Sequence, residues 1–450
     1  MGSSLFQKPS REIERAASSQ TEARSQSSQG WENWLAFGLI AICLVALGVV
    51  IGYIVFTDPA AEVVALRAEQ AITQTAKIQP SATATRAAPV VAQQPPADTQ
   101  NAVPQASATP LATPTPLPIL RSTEQVQGDV RWTPAQGPIL LDRNISIPVG
   151  SRLTIEPGTE VRIATGVSFQ VDGQLVLAGR PEMPVILRPD QADTFWEGIY
   201  GNPGSTIMIE ASAIQGAGET GTIILSQGDD FSTTTLNIRN VYFTKNKGMI
   251  AVRNSMLDMR DSLVSDNLPP YGGMLNASYN RDQTLLLSDN RFINNKADPT
   301  NSMIWIGNEL ESELLSLLIQ RNLIADNEHS INLQISAQSP MEGLLTCNSL
   351  AGGTFGLSIL GSLPQVPGLD LEVFNNSFES HAEPGYEQSG GGIGRAASST
   401  VGLRMYGNWW GDPSGPFHPF NNPNGRGEPV GENIDFMGWL RSPPACAPTQ

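Results

Sequence analysis

From Gly128 to Ala178 apolar and polar residues alternate in short runs broken by turn formers. The runs Ile145–Val149, Arg152–Ile155, Glu160–Ile163, Ser168–Val171 and Gln174–Ala178 predict strands with one buried face. Pro157-Gly158 and Asp172-Gly173 predict turns between them. Helical periodicity is scarce here; the one short candidate is Glu309–Leu318.

Beyond this stretch a loose repeat takes over. An Asn, once an Asp, is followed two residues later by a large apolar residue, often with a second Asn close behind. The instances are Asn240/Tyr242/Asn246, Asp261/Leu263/Asn267, Asn290/Phe292/Asn295, Asn322/Ile324/Asn327, Asn348/Leu350, Asn376/Phe378 and Asn408/Trp410. Successive starts lie 21 to 32 residues apart. A period of that size marks a repeat architecture. Propeller blades keep a fixed length, whereas coils of a β-solenoid share only inward apolar and turn positions, so the variable spacing predicts a β-helix. Stacked coils would pile equivalent side chains at about 4.8 Å, about a dozen of them, with inward Leu, Ile, Phe and Val forming a dry stack. Asn at an inward turn can bond the coils above and below it. A single Asn is an ordinary turn former; the sevenfold recurrence with an apolar partner is what predicts a ladder.

A different pattern stands near the N-terminus. Trp34–Phe56 carries no charge and, at about 1.5 Å per residue, reaches roughly 34 Å as a helix, enough to cross a bilayer core. Trp31, Trp34, Tyr53 and Phe56 stand where interfacial aromatics belong. Lys8, Arg11, Arg15 and Arg24 precede the run and Arg67 is the first basic residue after it, which predicts a cytoplasmic N-terminus and export of the rest. Gly48 and Gly52 form one GxxxG step, a spacing that permits a homodimer through the transmembrane helix. Residues 80–118 are rich in Ala, Thr, Pro and Gln and predict an extended stalk.

The chain organisation expected is therefore a disordered cytoplasmic tail over 1–33, a transmembrane helix over 34–56, an Ala/Thr/Pro-rich stalk over 57–127, a right-handed parallel β-helix over 128–442 and a C-terminal tail over 443–450. The fold class is all-β, with one transmembrane helix and a disordered Pro/Thr-rich stalk ahead of the solenoid. The net charge of −16 falls in the exported part, because four acidic residues balance the four basic ones before the helix. An acidic body excludes nucleic acid as a partner held through its phosphates.

Two stretches resemble a known group. "GDVRWTPAQGPILLDRNISIPVGSRLTIEPGTEVRIATGVSFQVDGQLVLAG", followed by Trp196-Glu197-Gly198-Ile199, is similar to the opening coils of bacterial and archaeal surface proteins with right-handed parallel β-helix, pectate-lyase-like domains. "NWWGDPSGPFHP" and "GRGEPVGENIDFMGWL" resemble the closing coil and cap of that group. The resemblance implies the fold. It does not choose a function, since the group spans sugar lyases and hydrolases, carbohydrate-binding modules and other roles.

Candidate chemistry is thin. Asp229-Asp230, in Gln227-Gly228-Asp229-Asp230, resembles part of a polygalacturonase-type site, without the Asn-Thr-Asp, Gly-His and Arg-Ile-Lys elements of that family; the same residues read as a plain loop. Arg239, Asp258, Arg260, Asp261, Asp289 and Arg291 fall near equivalent coil positions, where carboxylates can hold Ca²⁺ or form surface ion pairs; the Arg-x-Pro-x-x-Arg motif of pectate lyases is absent. His329, His381 and His418 lack metal-ligand spacing, and Gly390–Gly394 reads as a loop. Cys43 falls in the membrane run and Cys347 is expected to face the core; Cys347 and Cys446 are expected to be free thiols by default, the alternative being that an exported domain pairs them. Trp409 and Trp410 are expected to seal the last coil. No residue is assigned as catalytic, cofactor-binding or metal-binding, with Ca²⁺ kept as an option. The expected function is a membrane-anchored, non-catalytic β-helix module at the cell membrane that binds polysaccharide or another cell-surface polymer. The alternatives are a lyase or hydrolase acting on acidic sugars, and a structural spacer or adhesin.

Overall fold

A computed structural model describes residues 120–121, 125–298, 300–309, 312–328, 331–361, 368–381 and 395–449. The tail, the run at 34–56 with its GxxxG step, most of the 57–127 stretch, Cys43, His329 and Gly390–Gly394 lie outside the described residues. Among the described residues no helix is long and apolar enough to cross a membrane.

Strands wind through three parallel sheets, here called A (eleven strands), B (ten) and C (ten). Each coil visits C, then A, then B. Arg152–Ile155 lies in C, Glu160–Ile163 in A and Ser168–Val171 in B. The next coil starts again in C with Gln174–Ala178. Ten complete coils follow this path, from Asp129–Trp132 to Arg395–Ser399. The described residues thus form an all-β parallel β-helix, and their three-sheet stacking is consistent with right-handed winding.

Alternation explains the coil. Leu153, Ile155, Val161, Ile163, Phe169 and Val171 are fully buried, while Thr154, Arg162 and Gln170 between them point outward. Parallel registers stack Leu153 on Leu175, Val161 on Leu187 and Phe169 on Ile199. One inward face per sheet therefore suffices to build a continuous core. The first strand in B is shorter than expected: it ends at Ile147, and Pro148–Gly150 turn the chain into the next coil. Pairing also starts early, since Leu120–Arg121 joins sheet A and Gln125 bridges Ser146 inside the stretch read as stalk. The helical candidate at Glu309–Leu318 is not helical where it is described, because Leu315–Gln320 is a strand of sheet C. Its apolar residues alternate with a period of two once Leu315, Leu317 and Ile319 are taken as the inward set.

The corners correct the expected ladder. Where C passes to A, one residue adopts a left-handed backbone: Asn240, Asp261, Asp289, Arg321, Cys347 and Asn375, with φ between 51° and 60°. The residue after it points inward. Asn290, Asn322, Asn348, Asn376 and Asn408 occupy that inward place and form one ladder. Each of the first four donates its backbone N–H and Nδ2 to Oδ1 of the next, at 2.9–3.0 Å. Asn240 and Asp261 stand one position earlier, at the corner, and their inward successors are Val241 and Ser262. Their apolar partners shift likewise: Phe243 and Val264 are the core residues, while Tyr242 is exposed. A second ladder runs at the corner from A to B through Asn246, Asn267, Asn295 and Asn327.

Cys347 is a corner residue, half-buried rather than facing the core, and it forms a disulfide with Cys446 across a sequence separation of 99. Both free-thiol expectations are corrected by this bond. The left-handed corner turns the Cys347 side chain outward, within reach of the C-terminal segment. At the closing end Trp410 stacks on Phe378 with ring centroids 4.8 Å apart. Trp409 Nε1 donates to Glu379 Oε1 at 2.8 Å, so the two tryptophans cover the last coil as expected.

Candidate polymer-binding face

Sheet B carries a row of outward side chains between buried ones. Tyr200, Leu225, Ala251, Asn276, Trp305 and Gln334 occupy successive registers. Their inward neighbours Ile199, Ile224, Ile250, Leu275, Ile304 and Leu333 anchor the row in the core. At about 4.8 Å per strand, the four steps from Tyr200 to Trp305 span roughly 19 Å.

Trp305 is the centre of this face. It is half-buried and folds over Gly307, two residues on along the same face. A Cβ at position 307 would lie 2.5 Å from Trp305 Cη2 and 2.7 Å from Cζ2, so only glycine lets the indole settle there. Asn276 and Gln334 flank it on the neighbouring strands, and Gln334 Oε1 accepts a hydrogen bond from Ser302 Oγ. An aromatic plane between two amide side chains can stack on a sugar ring and bond its hydroxyls. At the other end of the row, Tyr200 OH donates to Glu197 Oε1 at 3.0 Å. Burial, with the Glu197 carboxylate behind it, pushes Tyr200 up to about 12, and the phenol stays neutral at physiological pH.

Comparison of the chain with family models, with curated proteins and with solved structures finds no match. What the stacking supports is the parallel β-helix itself.

The residues weighed for chemistry from sequence fall elsewhere. Asp229 and Asp230 sit in the loop from sheet B to sheet C. Asp229 Oδ1 accepts from the amides of Phe231 and Ser232 at 3.0 and 2.7 Å, and these backbone bonds lower its pKa. Its backbone carbonyl accepts from Arg281. This is a carboxylate closing its own turn. On sheet C, in the strand Met256–Arg260 that leads to the Asp261 corner, Asp258 lies between Arg239 (3.1 Å) and Arg260 (2.5 Å). Asp289 binds Arg321 through two bonds of 2.7 Å. Arg321 was not among the residues weighed; it joins the cluster because it is the corner residue of the next coil. Arg291 lies outside the cluster, exposed on sheet A. Guanidinium groups occupy Asp258 and Asp289, while Asp261 is exposed at its corner near Asp289 and bonds no arginine; among the described residues no group of three or more His, Cys, Asp or Glu is placed to hold a metal.

His381 is buried at the inward position after the left-handed Ser380. The Glu428 carboxylate accepts the amides of Ser380 (2.7 Å) and His381 (3.2 Å), which ties the closing segment to this corner. His418 lies in the cap, far along the chain from His381, and the two share no site. Sequence reasoning passed over Trp305. The signal that marks it is local: in Met303-Ile304-Trp305-Ile306-Gly307 a strand of buried aliphatics holds one outward aromatic followed by an outward glycine.

Proposed function

We propose that the chain is a membrane-anchored, extracytoplasmic module of the right-handed parallel β-helix type. In this reading it binds polysaccharide or another cell-surface polymer along sheet B and does not cleave it. The observation that carries the reading is Trp305 laid over Gly307 within a row of outward amides and a phenol. A repeating row of equivalent positions suits a repeating ligand. Export is supported by the uncharged run at 34–56, the basic residues ahead of it, and the Cys347–Cys446 disulfide, a bond that persists in oxidising compartments. The non-cleaving reading is supported by the engagement of Asp229 in its own turn and of Asp258 and Asp289 with arginines.

The test uses the full-length chain in detergent micelles, with acidic and neutral polysaccharides cast into native gels. Retardation is expected on at least one polymer class. Trp305→Ala should weaken it about tenfold, equivalent to about 1.4 kcal/mol, and Asp229→Asn should leave it unchanged. New reducing ends or unsaturated uronates would replace the reading with a lyase or hydrolase. No retardation on any polymer would leave the spacer or adhesin role.

A further inference from the structure

The closing cap holds a cleft that the polymer-binding reading does not use. Its main lobe, about 900 Å³, lies between the paired strands Leu403–Arg404 and Ile434–Asp435 and the tight loop from His418 to Asn422. A second lobe of about 620 Å³ adjoins it over the last coil of sheet C, and both lobes share Arg404 and Asp435. The size suits several residues of a chain rather than an ion.

The cleft is acidic. Glu432 and Asp435 line the main lobe, and Asp370, Glu372 and Asp435 the second, against the single guanidinium of Arg404. Its rim is apolar and open to water: Phe420 is 81% exposed and Met437 60%.

His418 points to a ligand independently. Its side chain is only 5% exposed, yet it lines the main lobe. Nδ1 accepts from the amides of Phe420 (3.3 Å) and Asn421 (3.1 Å). An acceptor Nδ1 places the hydrogen of the neutral ring on Nε2. The contact of Nε2 with Glu432 Oε2 is 3.9 Å, too long for a hydrogen bond. The His418 side chain is thus nearly buried while its Nε2–H, with no hydrogen-bond acceptor among the described residues, opens onto the cleft, where an acceptor from a bound chain would meet it.

We infer that this cleft binds a basic, extended peptide segment of another protein. Carboxylates on both lobes meet its Lys or Arg side chains. The His418 Nε2–H meets a backbone carbonyl, and Phe420 and Met437 cover alternate apolar side chains. Exposed methionine beside an aromatic is a common composition for peptide-binding surfaces. The acidic body would speed the encounter with a cationic partner. The inference is independent of the polymer-binding face on sheet B.

The experiment titrates the full-length chain in detergent micelles with a fluorescein-labelled alternating Lys/Leu peptide of about eight residues. An alternating Glu/Leu peptide and a glucosamine oligomer serve as comparators. Saturable binding of the Lys/Leu peptide alone is expected, weakening with added salt. Glu432→Gln, Glu372→Gln and Phe420→Ala should each weaken it by about threefold or more. These three side chains are exposed, so the fold survives their change. Glu182→Gln, an exposed site near the opening coils, should have no effect, and Trp305→Ala should bind as the parent does. Three results would overturn the inference: no saturable binding, equal loss in Glu182→Gln, or tighter binding of the glucosamine oligomer with displacement of the peptide.

Discussion

One residue per corner decides how each coil turns, and its chemistry is free because its side chain points outward. Asn240, Asp261, Asp289, Arg321, Cys347 and Asn375 all hold the same left-handed backbone while doing different outward work. Asn and Asp tolerate this region best, but Arg321 and Cys347 are held in it by the coils on either side. Asp261 shows how an outward corner residue can oppose folding. Burial, then the nearby Asp289 carboxylate, raises its pKa. Asp289 is the opposite case: burial resists its ionisation, but hydrogen bonds and charge from Arg321 outweigh that and lower it. The signs follow from linkage. Asp261, raised on folding, costs stability above the ordinary carboxylate range, and that cost disappears as acid protonates it. Asp289, lowered on folding, contributes stability at neutral pH that is lost as pH falls through the carboxylate range. Asp261→Asn is therefore expected to raise the urea midpoint at neutral pH, with the gain vanishing near pH 3, below the ordinary carboxylate value of about 3.9. A gain that is constant with pH would show that charge at Asp261 is not the cause.

At the scale of the coil, the Asn ladders join elements that backbone pairing leaves open. A strand pair satisfies its own amides, but a corner between sheets has amides pointing along the stack with no ladder partner. The inward Asn supplies one. Asn322 accepts from the backbone and side chain of Asn290 and donates to the Leu287 and Gln320 carbonyls. Asn322→Ala would strand two buried donors of Asn290, and loss of several buried bonds is expected to cost about 3 kcal/mol of unfolding free energy. Asn240→Gly, at a corner whose only need is a left-handed backbone, should change it by less than about 0.5 kcal/mol. Equal effects in equilibrium urea unfolding would show that the two asparagines play the same part.

Across the whole solenoid, contacts run only from coil to coil, so the ends are where unfolding can begin. The far end is held three ways. Trp410 stacks on Phe378, Glu428 binds the Ser380 corner, and Cys446 is bonded to Cys347 in the last coil but one. Closing a loop of about 100 residues stabilises a fold by roughly 2–5 kcal/mol. Replacing Cys347 and Cys446 by Ser should lower stability by about that much without altering the far-ultraviolet spectrum. Under denaturing conditions without reductant, only Cys43 of the three cysteines should react with a thiol reagent. Three reactive thiols would exclude the bond.

The residues alone determined a great deal. Alternation fixed strands such as Arg152–Ile155 and Gln174–Ala178, and the recurrent Asn with its apolar partner fixed a stacked solenoid sealed by Trp409 and Trp410. These are local or periodic signals, and periodicity survives without knowing which coil lies on which. Tertiary structure decided what depends on alignment between coils. Backbone φ, not residue type, separates corner Asn240 from ladder Asn290. Only stacking brings Arg321 to Asp289 and sets Trp305 between Asn276 and Gln334, and only the return of the C-terminal segment brings Cys446 to Cys347. Likewise the cap cleft joins segments that lie far apart in the chain, and insertions of variable length hide that distance from any reading along one dimension.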